Sequence, residues 1–154
     1  GAALAGEMSG HMFFADRYFG YDDAIYAACR VVELLSKNRR EKAANVPLSS
    51  LLSDLPRTFS TPELRFDCPD AIKFKVVERA REVFLRKEGL TLVPRDVITV
   101  DGIRAIFEAG WGLIRASNTQ PVLVMRFEST DNDSLKAIQN LMESQVKTII
   151  QSLS

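Results

Sequence analysis

Hydrophobic positions change period along this chain, and the changes divide it into elements. Between residues 23 and 36, Ile25, Ala28 or Cys29, Val32 and Leu35 recur at helical spacing, with Ala24, Ala27 and Ala28 raising helix propensity. That pattern predicts a helix over 23–36 that buries this stripe and stops in the polar stretch 36–45. Asp22 and Asp23 stand at its start, over the first free N–H groups. Residues 1–5 read as the end of a strand leading into a glycine-bounded loop. Pro47, Pro56 and Pro62 lie among serines and threonines; each disfavours helix in the residue before it. Residues 46–60 are therefore expected to form a linker with at most one short turn near Leu51 and Leu52, and the domain boundary is placed there.

Beyond the linker the period becomes two. Leu64, Phe66 and Cys68 alternate with Arg65 and Asp67, a strand with one apolar face. Pro69-Asp70 ends it, Asp70 is offered as an N-cap, and a helix to about Lys87 carries Ile72, Val76, Ala80, Val83 and Phe84 on one side, with Gly89 as its stop. A meander follows: 97–100, a hairpin at Asp101-Gly102, 103–107, a turn at Ala109-Gly110, 111–115, a polar loop, and 122–127. Thr130 or Asp131 caps a last helix with a stripe of Leu135, Ile138, Met142, Val146, Ile149 and Leu153. Strand, helix, three or four strands and helix is the order of an α+β domain with both helices on one face of an antiparallel sheet.

Composition narrows the function classes. With 154 residues, 46% hydrophobic and 26% charged, the chain suits a soluble protein with one real core, or one domain plus a piece of another. Twenty basic and 20 acidic residues give zero formal charge, so no overall field gathers nucleic acid. The basic runs 37–40 and 86–87 sit where helices should end and read as solvated last turns. Cys29 and Cys68 fall in apolar patterns, which predicts buried thiols in a reducing compartment. One histidine and no close cysteine pair argue against a structural zinc site, and Asp16, Arg17, Asp22 and Asp23 read as helix-start groups and a local ion pair, not an oxygen cage for a metal. No apolar run reaches membrane-span length and no leader pattern opens the chain, so cytoplasm is the expectation. Trp111 and Phe107 read as packing, and Tyr18, Phe19 and Tyr21 as a cover over the first helix.

Two polar islands carry the candidate chemistry. In residues 115–121, Arg115, Ser117, Asn118 and Thr119 place a guanidinium, two hydroxyls, an amide and free N–H groups on a short loop, the donor set a phosphate monoester needs. Charged contacts of this kind are worth roughly 1.5–3 kcal/mol each. The same residues also suit an ordinary turn that caps its own backbone. In residues 6–11, Gly6 and Gly10 suggest tight turns or close approach to a ligand, and Glu7, Ser9 and His11 alternate, so an extended backbone would direct them to one side: a carboxylate and a hydroxyl for vicinal sugar hydroxyls, and an imidazole to move a proton. The two islands are expected to grip opposite ends of one small anionic ligand.

Taken together, Gly6-Glu7-Met8-Ser9-Gly10-His11 with Phe13-Phe14, Asp16-Arg17, Gly20 and Asp22-Asp23, then Asp101-Gly102, Gly110-Trp111-Gly112 and Arg115-Ala116-Ser117-Asn118-Thr119-Gln120-Pro121, resemble the bacterial α-D-phosphohexomutases, the phosphomannomutase/phosphoglucomutase enzymes. The resemblance covers nearly the whole chain. It implies four domains, of which residues 1–45 would be the end of the third, sugar-binding α/β domain and 61–154 the complete fourth, with a TATA-binding-protein-like fold. It implies reversible phosphate transfer between the 1- and 6-hydroxyls of mannose or glucose through a hexose 1,6-bisphosphate. Glu7 and Ser9 would hold ring hydroxyls, His11 would serve in proton transfer, and Arg115, Ser117, Asn118 and Thr119 would grip the phosphate not being transferred. The phosphorylated serine and the Mg²⁺ loop of the family would lie upstream, leaving this chain inert alone and at most a weak hexose-phosphate binder. The apolar stripe of helix 23–36 would then dock elsewhere or pair with another copy. The competing class is a non-catalytic α+β module for protein or nucleic acid, against which the neutral charge argues.

Overall fold

The computed structural model describes residues 1–7, 9–42 and 47–153. Met8 of the glycine-bounded loop and residues 43–46, where the first helix was expected to stop and the linker to begin, lie outside them. The chain divides into two compact units, Gly1–Leu55 and Pro56–Ser154.

In the first unit, β1 (Leu4–Gly6) pairs antiparallel with β2 (Met12–Phe14), and α1 (Ala24–Lys42) follows. Asp23 caps α1, its Oδ1 accepting the Tyr26 N–H at 2.9 Å. The Tyr18 hydroxyl donates to the other Asp23 oxygen at 2.6 Å, which holds that carboxyl below its ordinary value and pushes the Tyr18 phenol up. Tyr18 also stacks on Tyr26 with ring centroids 3.9 Å apart, so it covers the helix as expected, whereas Phe19 is 83% exposed. Asp16 and Arg17 approach each other at 3.6 Å, but their shorter bonds reach the helix: Arg30 donates to Asp16 at 2.8 Å, and Arg17 forks onto Glu33 at 2.9 and 2.6 Å.

Three expectations for α1 need correction. The helix runs six residues past 36 because the polar stretch is made of strong helix formers, Lys37, Arg39, Arg40 and Glu41, with Lys37 and Glu41 paired at 3.9 Å one turn apart. The aliphatic stripe is not buried: Ile25 is 80% and Val32 62% exposed. The hairpin offers one buried side chain, Phe14, and the helix meets it through Tyr26, edge-on at 5.5 Å, and Arg30, whose guanidinium lies 4.6 Å from the ring centroid. Cys29 shares the open face and is exposed, not buried. A short 3₁₀ helix, Leu48–Leu52, follows α1 within the same unit.

The second unit is an antiparallel sheet of β3 (Phe59–Ser60), β4 (Leu64–Asp67), β5 (Asp96–Ile98), β6 (Ile103–Ile106), β7 (Gly110–Ala116) and β8 (Val122–Ser129). Its order is β3-β8-β7-β6-β5, and β4 pairs with the first half of β8 beside β3. Helices α2 (Lys73–Arg86) and α3 (Asn132–Leu153) pack on each other and on one face of the sheet, giving an α+β domain. Alternate sheet residues Ile103, Ala105, Ile114, Leu123, Met125 and Phe127 meet Val76, Ala80 and Phe84 of α2 and Ile138, Met142, Val146 and Ile149 of α3. Burying each larger side chain stabilises by roughly 1.5–3 kcal/mol. Cys68 is in this core, where burial pushes its thiol up.

The start of α3 is set as expected by Asp131, whose Oδ1 accepts the Ser134 N–H at 2.8 Å; that bond holds the carboxyl low. The start of α2 is not. Its cap is Ile72, which makes no side-chain bond, and Asp70 instead pairs with Lys73 at 2.6 Å. At the other end Lys87 itself adopts the left-handed cap, two residues before Gly89. Strand β5 ends at Ile98, leaving Val100 in the turn and 93% exposed.

Candidate functional site

The two polar islands fall in different units. In the second, Arg115 is the penultimate residue of β7 and stands opposite Val124 of β8, so its backbone is fixed by the ladder. The loop after it is closed by Ser117 N–H to the Val122 carbonyl at 3.0 Å. Ser117 Oγ accepts the N–H groups of Thr119 and Gln120 at 3.3 and 3.2 Å, which leaves its own proton free to donate. This is the self-capped turn that the residue types allow, and it is also a concentration of donors: Asn118 and Thr119 are exposed, and Asn118 makes no hydrogen bond within the described residues.

Arg115 is half-exposed, and its Nη1 lies 3.2 Å from Asp101 Oδ2 in the β5–β6 hairpin. Gly102 makes that approach possible. At φ +80 its ideal Cβ would fall 2.2 Å from the Ile114 carbonyl oxygen and 2.9 Å from Arg115 Cα. The return leg of the loop is held from β4 and α2: Arg65 Nη1 donates to the Gln120 side chain at 2.8 Å, Lys73 Nζ to the Gln120 carbonyl at 3.0 Å, and the Cys68 N–H to the Pro121 carbonyl at 2.9 Å. Asp101, Arg65 and Lys73 were not among the residues singled out from sequence. Asp101 had been assigned only a turn, and nothing local marks the other two.

In the first unit, backbone bonds draw Glu7, Gly10 and His11 together, the tight-turn reading of the glycines and not the extended one. Glu7 N–H donates to the His11 carbonyl at 2.9 Å and Gly10 N–H to the Glu7 carbonyl at 3.0 Å, with Gly10 at φ +92. The glycines favour closing the β1–β2 hairpin over continuing a strand. Glu7 and Ser9 still meet, Ser9 Oγ donating to Glu7 Oε2 at 3.1 Å. His11 takes a partner that sequence had assigned to the helix start: its Nδ1 lies 2.5 Å from Asp22 Oδ2, brought there by a backbone bridge between Phe13 and Asp22. An Nδ1–H donated to that carboxylate leaves Nε2 as the acceptor facing away from it. Among the described residues there is no group of three or more His, Cys, Asp or Glu that could hold a metal ion. No helix among them is long and apolar enough to cross a membrane.

Comparison with known proteins finds two family models in tandem. Residues 1–59 match the phosphoglucomutase/phosphomannomutase alpha/beta/alpha domain III and residues 63–145 the phosphoglucomutase/phosphomannomutase C-terminal domain. A phosphomannomutase/phosphoglucomutase of Pseudomonas aeruginosa is 40% identical over 153 residues, and a phosphoglucomutase of Neisseria meningitidis serogroup A is 43% identical over 152; each alignment covers 99% of this chain and 30% of the relative. The crystal structure of a phosphoglucomutase/phosphomannomutase family protein from Burkholderia thailandensis superposes with a TM-score of 0.76 at 38% identity, over 96% of this chain and 28% of that one. The chain thus spans about 30% of the length of these curated relatives.

Proposed function

This chain belongs to the phosphoglucomutase/phosphomannomutase family, and from that premise we propose that the whole protein moves phosphate reversibly between the 1- and 6-hydroxyls of mannose or glucose, in the cytoplasm, through a hexose 1,6-bisphosphate. Residues 1–45 contribute the end of a sugar-binding domain, 46–60 a linker and 61–154 a phosphate-binding domain. The observation that supports this most directly is the loop after β7, where a rigidly rooted guanidinium and the donors of Ser117, Asn118 and Thr119 crowd one turn. That set suits an ester phosphate held without being transferred. Glu7 and Ser9, already in contact, hold ring hydroxyls. His11, its Nδ1 beside Asp22, keeps Nε2 for moving a proton at a sugar hydroxyl. Mg²⁺, held by residues outside this chain, supplies charge neutralisation in the transfer.

Residues 1–154 alone have no phosphoryl donor in this reading, so they bind substrate weakly and do not turn it over. Titration of the labelled chain with glucose 1-phosphate is expected to move amide resonances at residues 115–119 before any others, with no product formed. Shifts spread over the basic helix ends, or turnover by the chain, would contradict the assignment.

The open stripe of α1, with Ile25 and Val32 largely exposed, is the surface through which copies of this chain associate. Light scattering is expected to give a mass above that of one chain at high concentration, reduced by Val32→Glu. A strict monomer at every concentration would exclude it.

A further inference from the structure

Lys73 is in an unusual place for a lysine on two counts. Its side chain is only 5% exposed, and a buried ammonium is costly unless it is well paired. It is the first residue of α2, the helix end where a cation opposes the macrodipole. That end also lacks a side-chain cap. A cation kept buried at a helix N-terminus points to a role outside the helix.

The contacts of the ammonium say what the role is. Asp70, 71% exposed, fixes it at 2.6 Å, and it donates to the Gln120 carbonyl at 3.0 Å. That same carbonyl accepts the Val122 N–H at 2.8 Å, so it closes the tight bend at Pro121 by which the loop re-enters β8. The Gln120 N–H in turn bonds Ser117 Oγ. One chain of hydrogen bonds therefore runs from Asp70 through Lys73 and Gln120 to Ser117, a donor of the candidate phosphate loop. We propose that Lys73 is a positioning residue for this loop: locked by Asp70, it holds the return leg so that the donors of residues 115–119 are arranged before phosphate arrives. The inference rests on the phosphate-binding reading of the loop.

The test is binding of inorganic phosphate to the 154-residue chain, followed at the amides of 115–122, for the unaltered chain, Lys73→Met, Lys73→Arg and Asp70→Asn. Lys73→Met is expected to weaken phosphate about tenfold and to speed amide exchange in the loop, and Lys73→Arg to restore most of the affinity. Asp70→Asn decides between positioning and simple attraction. Loss of a negative charge would strengthen phosphate if Lys73 acted only through its field, whereas loss of the lock weakens it several-fold. Because Asp70 is solvent-exposed, that variant carries the test even if Lys73→Met does not fold. Unchanged affinity in Lys73→Met, or tighter binding in Asp70→Asn, would overturn the positioning role while leaving the loop a phosphate site. Failure of the unaltered chain to bind phosphate at 115–119 would instead remove the reading on which the role depends.

Discussion

Replacing Arg115 with alanine is expected to weaken the affinity of the chain for inorganic phosphate by roughly ten- to a hundredfold while leaving its thermal stability almost unchanged. The size follows from the one charged fork on the loop: hydrogen bonds to a charged group are worth ~1.5–3 kcal/mol, and each 1.4 kcal/mol is a factor of ten. The small effect on stability follows from the surroundings. Arg115 is half-exposed and its ion pair with Asp101 is open to solvent, so removing it leaves no buried charge behind. Arg115→Lys separates charge from geometry. It keeps the cation and loses the planar pair of donors, so an intermediate affinity is expected if a bidentate contact matters. Isothermal titration of the three proteins in a phosphate-free buffer measures this. Affinity within twofold across them would mean that the loop is only the self-capped turn that its Ser117 bonds also describe.

The second unit was largely legible in sequence because its signals are local. The stripes of α2 and α3, the Asp101-Gly102 hairpin and the alternation through β4 all reflect contacts between an element and a core that lies on a known side. The stripe of α1 has the same periodicity as that of α3, yet one is open and the other buried. Period states which residues share a face, and only the partner decides whether the face is covered. Strand β3 was read as linker because two residues between prolines carry no pattern; it forms because the second half of β8 has a free edge beside it. Asp70 leaves its expected part as helix cap for a related reason. A carboxylate after a proline is a fair cap by statistics, but a buried ammonium one turn on competes for it.

The candidate loop was legible as chemistry and not as architecture. Arg115, Ser117, Asn118 and Thr119 stand within five residues, so their types alone suggested an anion site. The groups that hold the loop are remote: Asp101 lies 14 residues before Arg115, and Arg65 and Lys73 reach Gln120 across 55 and 47 residues. In the first unit the glycines flanking Glu7 and His11 marked a turn as strongly as they marked a ligand approach, and the pairing of His11 with Asp22 depends on the β2–Asp22 bridge, which no spacing rule foretells.

Gly102→Ala is expected to be the most damaging single methyl group that can be added near the loop. Two penalties combine there. The backbone at φ +80 lies in the left-handed region, which costs a residue with a Cβ ~1–2 kcal/mol. The new Cβ would also stand 2.2 Å from the Ile114 carbonyl oxygen and 2.9 Å from both Cα and Cβ of Arg115, atoms fixed by the strand that cannot swing aside as a side-chain tip would. Overpacking of this kind typically costs a further ~1–3 kcal/mol. Gly89→Ala isolates the first penalty: its φ is +67, and nothing lies within 4 Å of the added methyl. Gly89→Ala should therefore lower the melting temperature modestly and leave phosphate binding alone. Gly102→Ala should lower it by roughly twice as much or more, and should also weaken phosphate, since relief of the overlap requires the hairpin to lift away from Arg115 and take Asp101 with it. Thermal melts and phosphate titrations of the two variants side by side distinguish these effects. If both lose the same stability and neither loses affinity, the close approach of Gly102 to β7 places no constraint on the guanidinium, and Arg115 is positioned by its own strand alone.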